Sequence, residues 1–147
     1  QRKRLKQVQR KVDVVVGLIM NDQSKVLSQL RKKGTHLGGY WEFPGGKVES
    51  GETKQQAVIR ELAEEIGVDV RAVKRLGLIE HEYKDRLVRL SVYKVNDYYG
   101  RPWAREDGTE LEWLTPRELL TLKCLPTCQK ITQKWLAPTK CEVLHLA

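Results

Sequence analysis

"GKVESGETKQQAVIRELAEEIGV", Gly46–Val68, carries the residues that decide how this chain folds. Thr53 and Gln56 have the spacing of a capping box, in which each side chain bonds the other's backbone N–H, so a helix is expected to begin near Lys54. Gly67 is placed to end it in the left-handed conformation that glycine adopts without strain. At ~100° per residue, with Val58 at zero, Leu62 and Ile66 fall at about 40° and 80° and form a core stripe. Glu65, Glu61 and Glu64 fall near ~340°, ~300° and ~240°, on one arc that borders the stripe. The arc has no lysine, and three like charges within a turn repel one another. On the helix alone the arc reads as an acidic surface. It also reads as a bed for a divalent cation, because carboxylate oxygens on a rigid element suit Mg²⁺ or Mn²⁺.

The flanks read as alternating strands and turns. Val12–Met20 (VDVVVGLIM) is rich in β-branched residues and predicts a buried strand. Asn21–Ser24 supplies a turn and Lys25–Leu30 a returning strand. Lys32–Gly39 is loop-like, and Tyr40–Phe43 is a short aromatic segment stopped by Pro44–Gly46. Beyond the helix, Val68–Val70, Val73–Ile79 and Leu87–Val95 read as extended, Tyr98–Trp103 as a turn, and Leu111–Leu114 as a strand. Thr115 and Glu118 form a second capping box, with proline at the first helical position, for a helix to about Leu122. Gln129–Leu136 predicts a last helix. The class is α+β, built around a mixed sheet.

Length and composition are consistent with one globular domain: 147 residues, 40% hydrophobic. No apolar run approaches the ~20 residues of a membrane span. With no secretory-type apolar region at the N-terminus, a cytoplasmic location and no membrane partner are expected. The net charge is +8, but Gln1–Lys11 holds six basic residues and no acidic one, leaving +2 elsewhere. That concentration suggests a basic arm more than a recognition surface, so no specific nucleic-acid partner is expected. Three cysteines with no paired spacing argue against a disulfide framework. Cys124-x3-Cys128-x12-Cys141-x3-His145 does approach the spacing of a small zinc site.

Gly46–Val68 matches G-x5-E-x7-R-E-U-x-E-E-x-G-U, with U aliphatic, at all nine specified positions. It resembles the Nudix box. The resemblance implies an α/β/α sandwich with a central mixed sheet and a loop-helix-loop catalytic motif. Its span suggests a basic arm at 1–11, the domain at 12–137 and a tail at 138–147. It implies metal held by the Gly45 carbonyl, Glu61, Glu64, Glu65 and one further glutamate, and an Arg60–Glu52 pair that orients the loop. The metal would offset triphosphate charge and activate a water that attacks the β-phosphorus.

"WEFPGGKVESGET", Trp41–Thr53, is similar to the MutT branch, whose members remove oxidised nucleotides. By that likeness Glu42, Phe43, Pro44 and Gly45 lie along the substrate, Arg31 binds phosphate or base, and His36 lines the pocket. Arg86 contacts the nucleotide, and Glu106, in Gly100–Trp113, is the further catalytic glutamate. Asp107 and Glu110 compete with Glu106 if the register is shifted, and the general base is Glu61 or Glu106. An asparagine reads the oxidised base in that branch; Cys128 stands at its position here. A thiol cannot copy an amide's paired contact, so base reading passes to backbone groups and Thr127, or the substrate differs. The expected activity is hydrolysis of oxidised purine nucleoside triphosphates such as 8-oxo-dGTP, by a monomer or weak dimer. The rivals within the family are a CTP-type pyrophosphatase and an RNA 5′-pyrophosphohydrolase. Outside enzymes, the rival is a non-catalytic reader of oxidised guanine, which the complete set of box glutamates disfavours.

Overall fold

The computed structural model describes residues 9–136. Eight of the residues expected to form the basic arm, the tail, Cys141 and His145 lie outside them. The strands are β1 (Arg10–Leu18), β2 (Val26–Leu30), β3 (Trp41–Glu42), β4 (Gly45–Lys47), β5 (Asp69–Glu82), β6 (Arg86–Tyr99) and β7 (Glu110–Leu114). The helices are α1 (Lys54–Ile66), α2 (Pro116–Thr121) and α3 (Pro126–Ile131), and α3 runs into a π-helical turn at Thr132–Leu136.

The strands form a mixed four-stranded sheet, β4-β1-β6-β5, and a three-stranded sheet, β3-β2-β7. β1 and β6 are parallel, and β4 pairs antiparallel with β1 through Val15↔Gly46 and Val16↔Gly45. Alternation along β1 and β6 creates two cores, because successive side chains of a strand point to opposite faces. Val15, Ile19, Tyr93 and Val95 pack with Val58, Leu62 and Ile66 of α1. Val16, Leu18, Leu90 and Val92 pack on the other side with Leu119, Cys124, Cys128 and Ile131. Helices thus cover both faces, which is the expected α/β/α sandwich.

The caps of α1 follow the sequence: both bonds of the Thr53–Gln56 box form, and Gly67 closes the helix at φ 69. Four details differ from the sequence reading. β1 starts at Arg10, inside the expected arm, because Arg10 and Lys11 pair with Arg86 and Leu87. Gly45–Lys47, read as a stop, is a strand whose missing side chains let it lie against β1: a Cβ on Gly45 would overlap the Val15 carbonyl. β5 is continuous and absorbs its irregularity as register shifts at Ala72 and Gly77. Gly77 leaves room for the Trp135 ring, which a Cβ would approach to 2.8 Å. The last helix begins at Pro126, before Gln129, since proline at its start forfeits no helical hydrogen bond.

Candidate active site

Burying Leu62 and Ile66 turns the acidic arc of α1 toward β4. The Gly45 N–H donates to Glu65 Oε2 at 2.9 Å. A Cβ on Gly46 would come within 2.6 Å of Glu61 Oε1, so a side chain there would have to push the carboxylate aside.

The repulsion expected along the arc is offset from within the helix. Arg60 Nε donates to Glu52 Oε2 at 2.6 Å and Nη2 to Glu52 Oε1 at 3.0 Å. Its Nη1 reaches Glu61 Oε1 at 2.8 Å and Glu64 Oε2 at 3.2 Å. Nη2 also donates to the Lys47 carbonyl at 3.0 Å, tying α1 to the end of β4. The bonds from Arg60 hold the Glu52 carboxyl below its usual range, and those from Glu52 and Glu61 hold the guanidinium as a cation. This hub explains why an acidic arc without lysine is tolerated.

Glu65 stands apart from the hub. Burial pushes its carboxyl up to about 8; the Gly45 N–H opposes the shift, and Glu61, Glu42 and Glu106 add to it. A buried carboxyl among other carboxylates, facing a backbone with no room for a side chain, is a set of hard oxygen donors that fits a divalent cation. No three His, Cys, Asp or Glu side chains among the described residues form a ready metal cage. Glu61 and Glu64 are both bonded to Arg60.

Glu106 sits in the loop after β6, which is pinned to the end of α1. Trp103 N–H donates to the Ile66 carbonyl at 3.1 Å, Arg105 N–H to that of Glu65 at 3.2 Å, and Arg105 Nη1 to that of Ala63 at 2.9 Å. The loop therefore satisfies carbonyls that a helix end leaves without partners. Trp103 and Arg105 position Glu106, a role the sequence reading did not give them. Gly67 was the available signal, since a Cβ there would stand 2.6 Å from Trp103 Nε1.

From Glu65 and Gly45 a cavity of about 290 Å³ runs between the four-stranded sheet and α3. Val14, Val16, Phe43, Leu90 and Ile131 give it apolar walls, and Arg31, Glu42, Tyr83, Thr127 and Cys128 supply polar groups. Arg31 Nη1 bonds Glu42 Oε1 and Oε2 at 3.2 and 3.3 Å, and its Nε bonds the His36 carbonyl at 3.0 Å. Burial raises the Glu42 pKa, with Arg31 opposing it. Cys128 is buried, and its neighbour Cys124 together with burial pushes the thiol up, so it stays protonated.

Three expected substrate residues, His36, Pro44 and Arg86, do not line the cavity. The His36 side chain is exposed on the loop before β3 and does not line the cavity; the backbone turns at Leu37 with φ 57, and His36 contributes its carbonyl. Arg86 pairs with Asp85 at 3.2 Å and lies 4.6 Å over the Tyr83 ring. Tyr83 itself lines the cavity and was missed, because nothing in a hairpin sequence distinguishes a tip aromatic from a wall aromatic. Pro44 lies in the bend between β3 and β4, where its carbonyl accepts from Gly17 N–H at 3.0 Å.

Residues 10–136 match the NUDIX domain model. The chain is 37% identical over 106 residues to the 8-oxo-dGTP diphosphatase of Escherichia coli K12, covering 72% of this chain and 81% of that protein. It is 32% identical over 126 residues to the CTP pyrophosphohydrolase of the same organism, covering 86% and 92%. It superposes on a solved MutT structure, from work on the Aliivibrio salmonicida and Vibrio cholerae proteins, with a TM-score of 0.69 and 30% identity, covering 86% of this chain and 100% of that one. With its box complete and its fold matched across the described domain, the chain belongs to the Nudix hydrolase family and is MutT-like.

Proposed function

We propose that this protein is a Mg²⁺-dependent pyrophosphohydrolase that converts oxidised purine nucleoside triphosphates, such as 8-oxo-dGTP, to the monophosphate and pyrophosphate. The observation that carries this reading is the continuity of the cavity: one end meets Glu65 and Gly45, and the other is an apolar slot closed by Cys128 and Ile131. A planar base fits the slot, which leaves the triphosphate at the carboxylates.

The Gly45 carbonyl, Glu61, Glu64, Glu65 and Glu106 would hold the metal, which would offset phosphate charge and lower the pKa of a water. Family membership supports dependence on a divalent metal; magnesium in particular, with manganese as a substitute, follows from the all-oxygen donor set. Arg60 holds Glu52, Glu61 and Glu64 in place from one side, and the loop of Trp103 and Arg105 holds Glu106 from the other. Of the two candidate bases, Glu61 is committed to Arg60, whereas the Glu106 carboxylate bonds no described residue. Glu106 is therefore the freer of the two to take the water's proton. Arg31, Glu42, Phe43 and Cys128 contact the nucleoside.

Cys128 favours keeping a second reading. The CTP pyrophosphohydrolase relative is matched over 92% of its length, and a slot without the amide has less to prefer in an oxidised purine. Product analysis tests the common chemistry. Incubation of 8-oxo-dGTP with protein and Mg²⁺ should yield monophosphate and pyrophosphate, and chelation should stop it. Release of orthophosphate and diphosphate would refute the proposed cleavage.

A further inference from the structure

The cavity has apolar walls, yet an ion pair is built into one of them. Among the described residues that line it, Arg31, Glu42 and Glu65 are the charged ones, and Glu65 is engaged by the Gly45 backbone at the phosphate end. Arg31 and Glu42 are left facing the nucleoside. They are rigidly placed: β2 pairs with β3 through Gln29↔Glu42 and Leu30↔Trp41, and the Arg31 N–H donates to the Tyr40 carbonyl at 2.9 Å.

The pair is only partly used up by its own bonds. Arg31 spends Nε on His36 and Nη1 on Glu42, and Nη2 has no acceptor among the described residues. Glu42 accepts one bond at each oxygen from Arg31, and a carboxylate has about four acceptor positions. A ligand in the cavity therefore meets a fixed donor beside two fixed acceptors. The Watson–Crick edge of guanine presents the complement: the acceptor O6, then the donors N1–H and the N2 amino group. Adenine and cytosine can each offer an amino donor to Glu42 and a ring-nitrogen acceptor to Arg31, but neither places two adjacent donors against the two carboxylate oxygens.

We propose that Glu42 and Arg31 read the Watson–Crick edge of a guanine-type base, with Glu42 accepting from N1–H and the N2 amino group and Arg31 Nη2 donating to O6. This rests on the reading of the cavity as a nucleotide slot. Oxidation at C8 leaves that edge unchanged. The pair accordingly selects guanine over other bases and does not distinguish oxidised from ordinary guanine, a choice made on the opposite edge of the base.

The test is a Glu42→Gln variant assayed for kcat/KM on dGTP, 8-oxo-dGTP, dATP, CTP and GTP. Glutamine offers one acceptor and one donor, which suits N6–H and N1 of adenine. The dGTP:dATP ratio should fall by about 100-fold, with dATP improving in absolute terms, because a site built to bond an edge rejects one that leaves its groups unpaired. The 8-oxo-dGTP:dGTP ratio should stay within about threefold of wild type, a difference under 1 kcal/mol. An equal loss on every substrate would overturn the proposal in favour of a structural role. A changed GTP:dGTP ratio at constant base preference would overturn it in favour of a sugar contact. Should Glu42→Gln fail to fold, Arg31→Lys removes the forked donor and keeps the charge. It should raise KM for dGTP at least about tenfold and leave that for dATP unchanged, and equal effects on both would count against the proposal. Failure of the wild type to hydrolyse any triphosphate would refute the proposed function itself, whereas an unmoved base ratio in an active enzyme refutes only the edge reading.

Discussion

The two ends of the cavity are built on different principles. At the α1–β4 end the structure is over-determined: Arg60 bonds three carboxylates and a backbone carbonyl, and two glycines have no space for a Cβ. At the α3 end a few polar groups, the buried Cys128 thiol among them, stand among aliphatic walls. A reaction on phosphate needs charges held in fixed positions, so its site tolerates little change. A slot for a base needs a flat apolar volume and a few directed bonds, and it can change preference through one side chain. The difference predicts that damage at the first end lowers turnover for every substrate, while damage at the second redistributes activity among substrates.

The largest effect is expected from Glu65→Gln, which keeps the shape and removes the charge. Pyrophosphate release should fall by about 10³-fold on all triphosphates, the scale seen when a group that stabilises developing charge is lost. Retained turnover would sink the metal-clamp mechanism. Gly46→Ala comes next. Its methyl group would displace the Glu61 carboxylate while the strand persists, so kcat should drop by about 10²-fold, with KM little changed, as for a misplacement of about 1 Å. A drop confined to thermal stability would show that Glu61 position does not matter. Cys128→Asn places an amide in the slot. It should raise the 8-oxo-dGTP:dGTP ratio of kcat/KM by about tenfold at similar kcat, equivalent to about one hydrogen bond. No change in the ratio would detach Cys128 from base reading.

The smallest effect is a pH dependence confined to the first end. The folded-state Glu65 pKa of about 8 lies above the ordinary value of 4.5. The folded state thus binds a proton more tightly than the unfolded chain, and stability falls as pH rises from 4.5 to about 8. Metal-free protein should show a melting temperature that declines across this window. The Glu65→Gln variant should lack that component, and saturating Mg²⁺ should suppress it by binding the ionised form. Identical pH profiles for wild type and variant would show that Glu65 is not buried in the way described.

The same contrast governs what the sequence discloses. Gly46–Val68 discloses its helix, both caps and the acidic arc because its signals are local: a capping box, a terminal glycine and a helical repeat. The Arg60–Glu52 pair is legible for the same reason, with its partners eight residues apart on one loop and helix. The slot is assembled from β1, β3, β5–β6 and α3, and its residues meet only through tertiary packing. His36 therefore reads as a wall residue and turns out to face solvent, and Tyr83 escapes notice. The two-glycine strand β4 reads as a stop because glycine carries no strand preference; its pairing comes from the need to approach Val15 and Glu61 without side chains. Trp103 and Arg105 act on a helix end fixed elsewhere in the chain, through two backbone bonds and the Arg105 guanidinium, so Gly67 is the local trace of their contact.

The central claim is a triphosphate pyrophosphohydrolase with a slot for an oxidised purine. It is tested most directly by kcat/KM for wild-type protein on 8-oxo-dGTP, dGTP, CTP and 5′-triphosphorylated RNA under one Mg²⁺ concentration. The account predicts a value for 8-oxo-dGTP at least about tenfold above each of the others, a margin of about 1.4 kcal/mol in transition-state binding. Comparable values for 8-oxo-dGTP and dGTP, or a leading value for CTP or RNA, would contradict it.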